Sequence, residues 1–395
     1  MWVLRNPGIS RRPTSSIRAR SSPIRSCGIR MRATVPYTAL PSSSAGSVGR
    51  SQHTPRSDTL QDRMDEEQLE VVSDGVRLAV RRFPGGEPGV LLHHGLASSS
   101  HIFDLLVPHL APAHRVVAYD ARGHGRSGKP TSGYGFAQVR RDALAVIQTT
   151  GLDRPIVVGH SWGANVALEL AAHHPRAVRG VVLVDGGFLG LRERMDWPTA
   201  RELLAPPDLA GTPVEAFLEH LRGHLRGHLE LTPEVERVFL SLVRIDRRGR
   251  IRPRLSRANH LRILRALWEQ DTLDLLGRVR VPTLVLAVHS APGAADSAGF
   301  MEEKRRAARR VRAMGEPVRF AWIDGIHDIP LQRPGALARR IRRFAAELAS
   351  DPKGTQRAAA PRRTSEPSIR SSCTSVAVCS ISTALARLTA RGLSS

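Results

Sequence analysis

Ile156-Val-Val-Gly159-His160-Ser161-Trp162-Gly163-Ala164-Asn165-Val-Ala-Leu-Glu-Leu-Ala-Ala172 is the stretch that decides the fold. Three β-branched residues in a row read as a buried strand, and Ala164 to Ala172 read as a helix. Between them stands G-x-S-x-G. Gly159 and Gly163 permit a tight strand-to-helix turn that would hold Ser161 strained and exposed, with a helix N-terminus behind it that favours developing negative charge. The bare pattern is common by chance; the strand before it and the helix after it give it meaning. An ordinary helix N-cap serine is the plain alternative.

Outward from this turn, short apolar runs alternate with helical ones. Leu69–Val72 and Val76–Arg82 flank Ser73-Asp74-Gly75 as a hairpin. Val90–His93, Val116–Tyr119, Val181–Val184, Thr283–Val288 and Val318–Ile323 read as strands, with helices near Phe103–Leu110, Phe136–Thr150, Glu302–Met314 and Pro334–Leu348. Continuous apolar strands separated by helices predict an α/β fold: a mostly parallel sheet covered on both faces, with ligands at the carboxyl ends of its strands. Phe188 to about Gly277 interrupts the series. It reads as helical, with no strand signal until Pro282, and is too long for a loop; a helical cap, about 188–277, inserted after the strand ending near Val184 is expected.

A serine nucleophile needs a base from elsewhere in the fold. His327, in Trp322-Ile-Asp-Gly-Ile-His-Asp-Ile-Pro, falls between the last strand and the last helix, where the sheet would present it to Ser161. His220, His224 and His228 recur at helical spacing, but without an H-E-x-x-H pattern they read as a solvated face rather than a metal site. His93-His94-Gly95-Leu96 ends a strand, and the amides of Leu96 and Trp162 would make a two-donor oxyanion hole. Trp197, Phe217 and Trp268 are candidates for pocket lining or for core packing.

These residues resemble the α/β-hydrolase fold superfamily, in its capped serine esterase-like branch, over roughly Val71 to Ala349. Four motifs in the family's order carry the resemblance: His94-Gly95-Leu96, Asp120-Ala-Arg-Gly-His-Gly-Arg-Ser-Gly128, Gly159–Gly163, and Gly325-Ile-His327-Asp-Ile-Pro. The resemblance implies Ser161 as nucleophile, His327 as base and a structural role for the Asp120–Ser127 loop. The acid is where the chain departs from the pattern. His289-Ser-Ala-Pro-Gly293 has no carboxylate beside the strand ending at Val288, and Asp296 is the first available. Asp185, directly after Val184, matches an alternative acid position. Both keep the Ser, Asp, His order, and Asp185 is favoured because a flexible loop orients an imidazole poorly. The expected activity is metal-free and cofactor-free hydrolysis of an ester-type bond in a small-molecule acyl substrate through an acyl-enzyme. The alternatives are a cofactor-free perhydrolase and a non-catalytic small-molecule-binding protein on the same fold.

Net charge tests a different class. Lys+Arg is 59 against Asp+Glu 36, or +23 over 395 residues, which alone would suggest nucleic acid. Residues 1–63 carry +9 and residues 351–395 carry +5, leaving 23 − 9 − 5 = +9 for residues 64–350. The two tails are rich in Arg, Ser and Pro and are expected to be disordered. Residues 1–63 resemble an organelle transit peptide in composition, or an over-long reading frame with the working protein starting near Met64, the second being favoured. The excess charge thus lies away from the motifs, and no specific nucleic-acid partner is expected. Cys27, Cys373 and Cys379 all lie in the tails, so the core has no disulfide framework and suits a reducing cytoplasm. No run approaches the ~18 apolar residues of a membrane span. The sequence does not speak to oligomeric state.

Overall fold

In the computed structural model, which describes residues 65–290 and 298–350, the eight apolar runs become strands and two short strands join them, ten in all among the described residues. They are β1 (Glu67–Ser73), β2 (Val76–Phe83), β3 (Val90–His93), β4 (Val116–Tyr119), β5 (Ile156–His160), β6 (Gly180–Val184), β7 (Val243–Ile245), β8 (Ile251–Pro253), β9 (Thr283–His289) and β10 (Val318–Asp324). Eight of them form one sheet in the order β1-β2-β4-β3-β5-β6-β9-β10. The β1–β2 hairpin and the β2–β4 pair are antiparallel; every other pair in the sheet is parallel. The sheet is therefore mostly parallel, as the alternation predicts. Strand order reverses at β3, which lies between β4 and β5, and a crevice opens there at the carboxyl ends of the strands.

Period two in the strands divides the core. Leu91, Val117, Val157, Val181, Leu183 and Val285 face α2 (Phe136–Thr149), α3 (Trp162–His173) and α9 (Ala298–Met314). Their neighbours Leu92, Val116, Val158, Val182, Leu286 and Val288 face α1 (Val107–Leu110) and α11 (Pro334–Ser350). Each of these residues is almost fully buried, and each such side chain contributes about 1.5–3 kcal/mol relative to exposure. The helix expected near Phe103–Leu110 is two pieces, a 3₁₀ turn at Ser100–Phe103 and then α1. The expectation of disorder at 1–63 and 351–395 falls outside the described residues.

Between β6 and β9 the chain forms α4 (Trp197–Leu203), α5 (Val214–Leu225), α6 (Pro233–Leu240), the β7–β8 ribbon, α7 (Arg257–Glu269) and α8 (Thr272–Arg278). The sequence reading of this insert as free of strands missed the ribbon. Its turn is built by Asp246, whose Oδ1 accepts from the amides of Arg248 and Arg250 at 2.8 and 3.0 Å, and by Gly249 at φ +69°. Strands of three residues are too short to show a period. A second difference lies at the insert's end. Leu273, Leu275 and Leu276 of α8 join the core cluster of α3, so α8 belongs to the layer beneath the sheet.

Both ends of the insert are tied to one side chain on α3. Asn165 Oδ1 accepts from the Gly187 amide at 3.3 Å, and its Nδ2 donates to Gln270 Oε1 at 2.6 Å. Gln270 in turn donates to Glu169 Oε1 at 2.9 Å, and Arg140 donates to Glu169 Oε2 at 2.7 Å. A short helix α10 (Ile329–Gln332) follows β10. Among the described residues no helix is long and apolar enough to cross a membrane.

Candidate active site

Ser161 stands between β5 and α3 at φ 56°, ψ −122°, a left-handed backbone that costs a non-glycine residue about 1–3 kcal/mol. Its neighbours show why it is held. A Cβ on Gly159 would lie 2.1 Å from the Gly163 carbonyl oxygen, and one on Gly163 would lie 2.2 Å from that of His93. The turn can therefore close this tightly only with glycine at both positions. Ser161 N donates to Val184 O at 2.9 Å, which fixes the turn against β6.

His327 lies three residues beyond β10. The Ser161 hydroxyl donates to its Nε2 at 3.0 Å, and its Nδ1–H donates to Asp185 Oδ2 at 2.7 Å. A carboxylate can only accept, so Nδ1 carries the proton and the Nε2 lone pair faces Ser161. Asp185 follows β6 directly, at φ 45°, and is the acid brought to His327. Asp296 lies outside the described residues.

Asp185 is enclosed. Its Oδ1 accepts from the Val288 amide at 3.0 Å and pairs with Lys304 Nζ at 3.0 Å; the two side chains are 2% and 1% exposed. Lys304 also donates to Val288 O at 3.2 Å. Burial works against the carboxylate's charge, but the His327 hydrogen bond, the Lys304 ammonium and the Val288 amide together hold its pKa well below the ordinary value. Lys304 went unread in the sequence. It sits on the buried stripe of α9 with Met301, Ala308 and Val311, while the arginines of that helix face outward. One of only three lysines in the chain, on an apolar stripe among arginines, was the available signal.

The loop after β3 is secured by neutral histidines. His94 Nδ1–H donates to Gly95 O at 2.7 Å while its Nε2 accepts from the Ala121 amide at 3.0 Å. His124 Nδ1–H donates to Arg122 O at 3.0 Å, and its Nε2 accepts from the Ala97 amide at 3.2 Å. Burial depresses both pKa values, so each keeps the lone pair its acceptor role needs. His93 packs edge-on against Tyr119 and Trp162, and burial beside His94 pushes it down to about 3. His160 donates through Nε2–H to His327 O at 2.7 Å and is likewise pushed down to about 3 by burial and by the neighbouring His327. The Asp120–Ser127 loop is a structural knot: Asp120 accepts from the amides of Ser100 (2.8 Å) and Arg126 (2.7 Å), and Arg122 pairs twice with buried Asp142 at 2.5 Å.

A small cavity at Ser161 is walled by Gly95, Leu96, His160 and His327 and roofed by Val238, Phe239 and Leu242. Leu96, Ser98, Phe239 and Leu242 also line an adjoining, larger chamber. The two hold about 330 and 990 Å³ of unfilled space, part of it open to solvent. The N–H of Trp162, first residue of α3, has no helical carbonyl behind it to satisfy it. Of the three aromatic candidates in the insert, Phe217 lines the chamber. Trp197 and Trp268 instead pack on each other beneath Arg265, with Trp268 Nε1–H donating to Met195 O at 2.8 Å. Among the described residues no cluster of His, Cys, Asp and Glu is suited to a metal; His228 serves through its backbone, its carbonyl accepting from Gln332 Nε2 at 2.7 Å.

The chain matches the alpha/beta hydrolase fold family over residues 88–290. A Mycobacterium phage D29 protein named "Putative non-heme haloperoxidase" is 31% identical over 278 residues, covering 67% of this chain and 89% of that protein. The 2-(acetamidomethylene)succinate hydrolase of Mesorhizobium japonicum is 38% identical over 104 residues, 26% of this chain and 37% of the relative. The crystal structure of E-2-(acetamidomethylene)succinate hydrolase superposes with a TM-score of 0.58 at 24% identity, covering 71% of this chain and 99% of that one; at that identity it speaks for the fold alone. Strand order, the serine turn and this extent of similarity lead to one statement: the chain belongs to the alpha/beta-hydrolase fold family.

Proposed function

We propose that the protein is a serine hydrolase that cleaves a carboxylic ester or related acyl bond of a small molecule. The observation that carries this reading is the continuous relay from Ser161 Oγ to His327 to Asp185, at 3.0 and 2.7 Å. Ser161 attacks the carbonyl carbon as His327 Nε2 takes its proton. The tetrahedral oxyanion is held by the amides of Leu96 and Trp162, the kind of donor pair in which loss of one costs ~10²-fold or more. His327 then protonates the leaving group. Water, deprotonated by the same nitrogen, releases the acid and restores Ser161. Asp185 fixes the Nδ1–H tautomer and stabilises the imidazolium. The insert acts as the cap, its Phe239 and Leu242 keeping bulk water from the acyl carbon.

A hydroxyl at this turn argues against dehalogenase or epoxide-opening chemistry. Displacement of a halide or opening of an epoxide by Ser161 would leave an ether, which water cannot cleave; a carboxylate nucleophile would leave a hydrolysable ester. The name of the phage relative favours one second reading, perhydrolysis, in which hydrogen peroxide replaces water in the same deacylation. Within the reading the protein acts in the cytoplasm on a small molecule, without specific nucleic-acid binding.

The test is labelling of the full chain with a fluorophosphonate, beside Ser161→Ala, followed by 4-nitrophenyl esters of graded acyl length. Labelling is expected only with Ser161 present. An unlabelled wild-type protein overturns the reading and leaves a binding protein on the same fold; peracid formation from acetate and peroxide that outpaces ester hydrolysis selects perhydrolysis.

A further inference from the structure

The chamber beside Ser161 is apolar along most of its wall, through Leu203, Leu209, Phe217 and Leu255. One end differs. Arg254 lines it, with Nε donating to Val243 O at 3.1 Å. Gly125 lines it as well, and its carbonyl accepts from Lys129 Nζ at 3.0 Å, while Ser127 O accepts from the same ammonium at 2.8 Å. Carbonyls satisfy these donors but do not neutralise them. Partial burial first, then Arg244 and Arg126, disfavours the charge on Arg254.

Among the described residues none of Lys129, Arg126, Arg244 and Arg254 forms an ion pair with a carboxylate. Asp120 attracts Lys129 and Arg254, but its oxygens are occupied by the amides of Ser100 and Arg126. Lys129 registers the imbalance: partial desolvation first, then Arg244, Arg254 and Arg77, bring its pKa down to about 8. A solvated surface can carry such a cluster at little cost, and Arg126, Lys129 and Arg244 are exposed. Arg254 is half-buried and lines the chamber that adjoins the nucleophile, so a ligand there with an anionic end would relieve the repulsion and be drawn in by it.

We propose that Arg254, in the positive field of Lys129, Arg126 and Arg244, binds the carboxylate of an acidic substrate whose apolar chain fills the chamber and whose acyl carbon lies at Ser161. The proposal deepens the serine-hydrolase reading and rests on it for the position of the acyl carbon.

The experiment compares, on the full chain, mono-4-nitrophenyl esters of diacids from succinate to suberate with the methyl-terminated esters of equal length. At low salt at least one diacid ester is expected to exceed its neutral counterpart about tenfold in kcat/KM, a ratio that shrinks as salt screens the cluster. Arg254→Gln and Lys129→Gln should each cut that ratio several-fold, and Arg254→Lys should keep most of it. A ratio at or below one at every length, or one that survives the double glutamine variant, overturns the proposal. Calorimetry on Ser161→Ala with the monomethyl esters of the same diacids separates the two readings. Binding that Arg254→Gln weakens, in a protein whose wild type hydrolyses no ester, sinks the hydrolase reading and keeps the anion site. Hydrolysis without carboxylate preference does the reverse, and absence of both binding and preference removes the anion site.

Discussion

The histidines around the serine turn should make the fold acid-labile between pH 7 and pH 5. His93 and His160 are held neutral to about 3 and His260 to about 4, against an ordinary value of 6.5. Below pH 6.5 the unfolded chain binds a proton at each of these positions that the folded protein refuses, so stability is full above 6.5 and falls with pH towards the folded values. Each unit costs ~1.36 kcal/mol per histidine. Allowing for partial titration near 6.5, the loss from pH 7 to pH 5 is about 2 kcal/mol per group and about 6 kcal/mol for the three. That is comparable with the whole stability of an ordinary domain, ~5–15 kcal/mol. Carboxylates do not compete in this window, because Asp120 and Asp185 are held below their ordinary value of 3.8. Urea unfolding of the full chain, followed by circular dichroism at pH 7 and pH 5, reads the difference. His93→Phe, which keeps the edge contact to Trp162, should remove about 2 kcal/mol of it. A change of less than ~1 kcal/mol between the two pH values, or an unaltered slope in His93→Phe, would refute the argument that these rings are buried uncharged.

Asp185→Asn should lower ester turnover by roughly 10³–10⁴, because an amide in place of the acceptor favours the wrong imidazole tautomer, whereas Asp296→Asn should leave it within a few-fold; steady-state kinetics on both decides which acid serves. Lys304→Met strands a buried carboxylate and should cost about 3–5 kcal/mol of stability, measured by urea unfolding, with Lys304→Arg recovering part of it. Gly186→Ala should abolish fluorophosphonate labelling, since its Cβ would lie 2.2 Å from the Ser161 carbonyl oxygen and the turn would have to move.

The sheet and the serine turn were legible because they rest on local patterns. Runs such as Val90–His93 and Ile156–Val158 cannot be anything but buried, and two glycines around Ser161 can serve only a close approach. His327 was legible by position, since a residue just past the last strand of such a sheet returns to the crevice. The acid was less so: Asp185 and Asp296 are equally possible by order along the chain. What the structure adds is the reach of Lys304 and Val288 to Asp185 across more than a hundred residues, which no local period records, while Asp296 lies outside the described residues. The insert was read least well. Its ribbon strands are shorter than any period, and its tryptophans pack for the same apolar reason that would line a pocket.

Asn165 holds the Gly187 amide where the insert leaves the sheet and Gln270 where it returns. In engineering terms it is one latch that closes both ends of a removable part. Grafting a foreign cap to change substrate range should therefore splice after Gly187 and before Gln270, keeping Asn165, Gln270 and Asp185 with the recipient. A splice three residues earlier would carry away Asp185, the carboxylate that accepts from His327 Nδ1, and with it the proposed relay to Ser161.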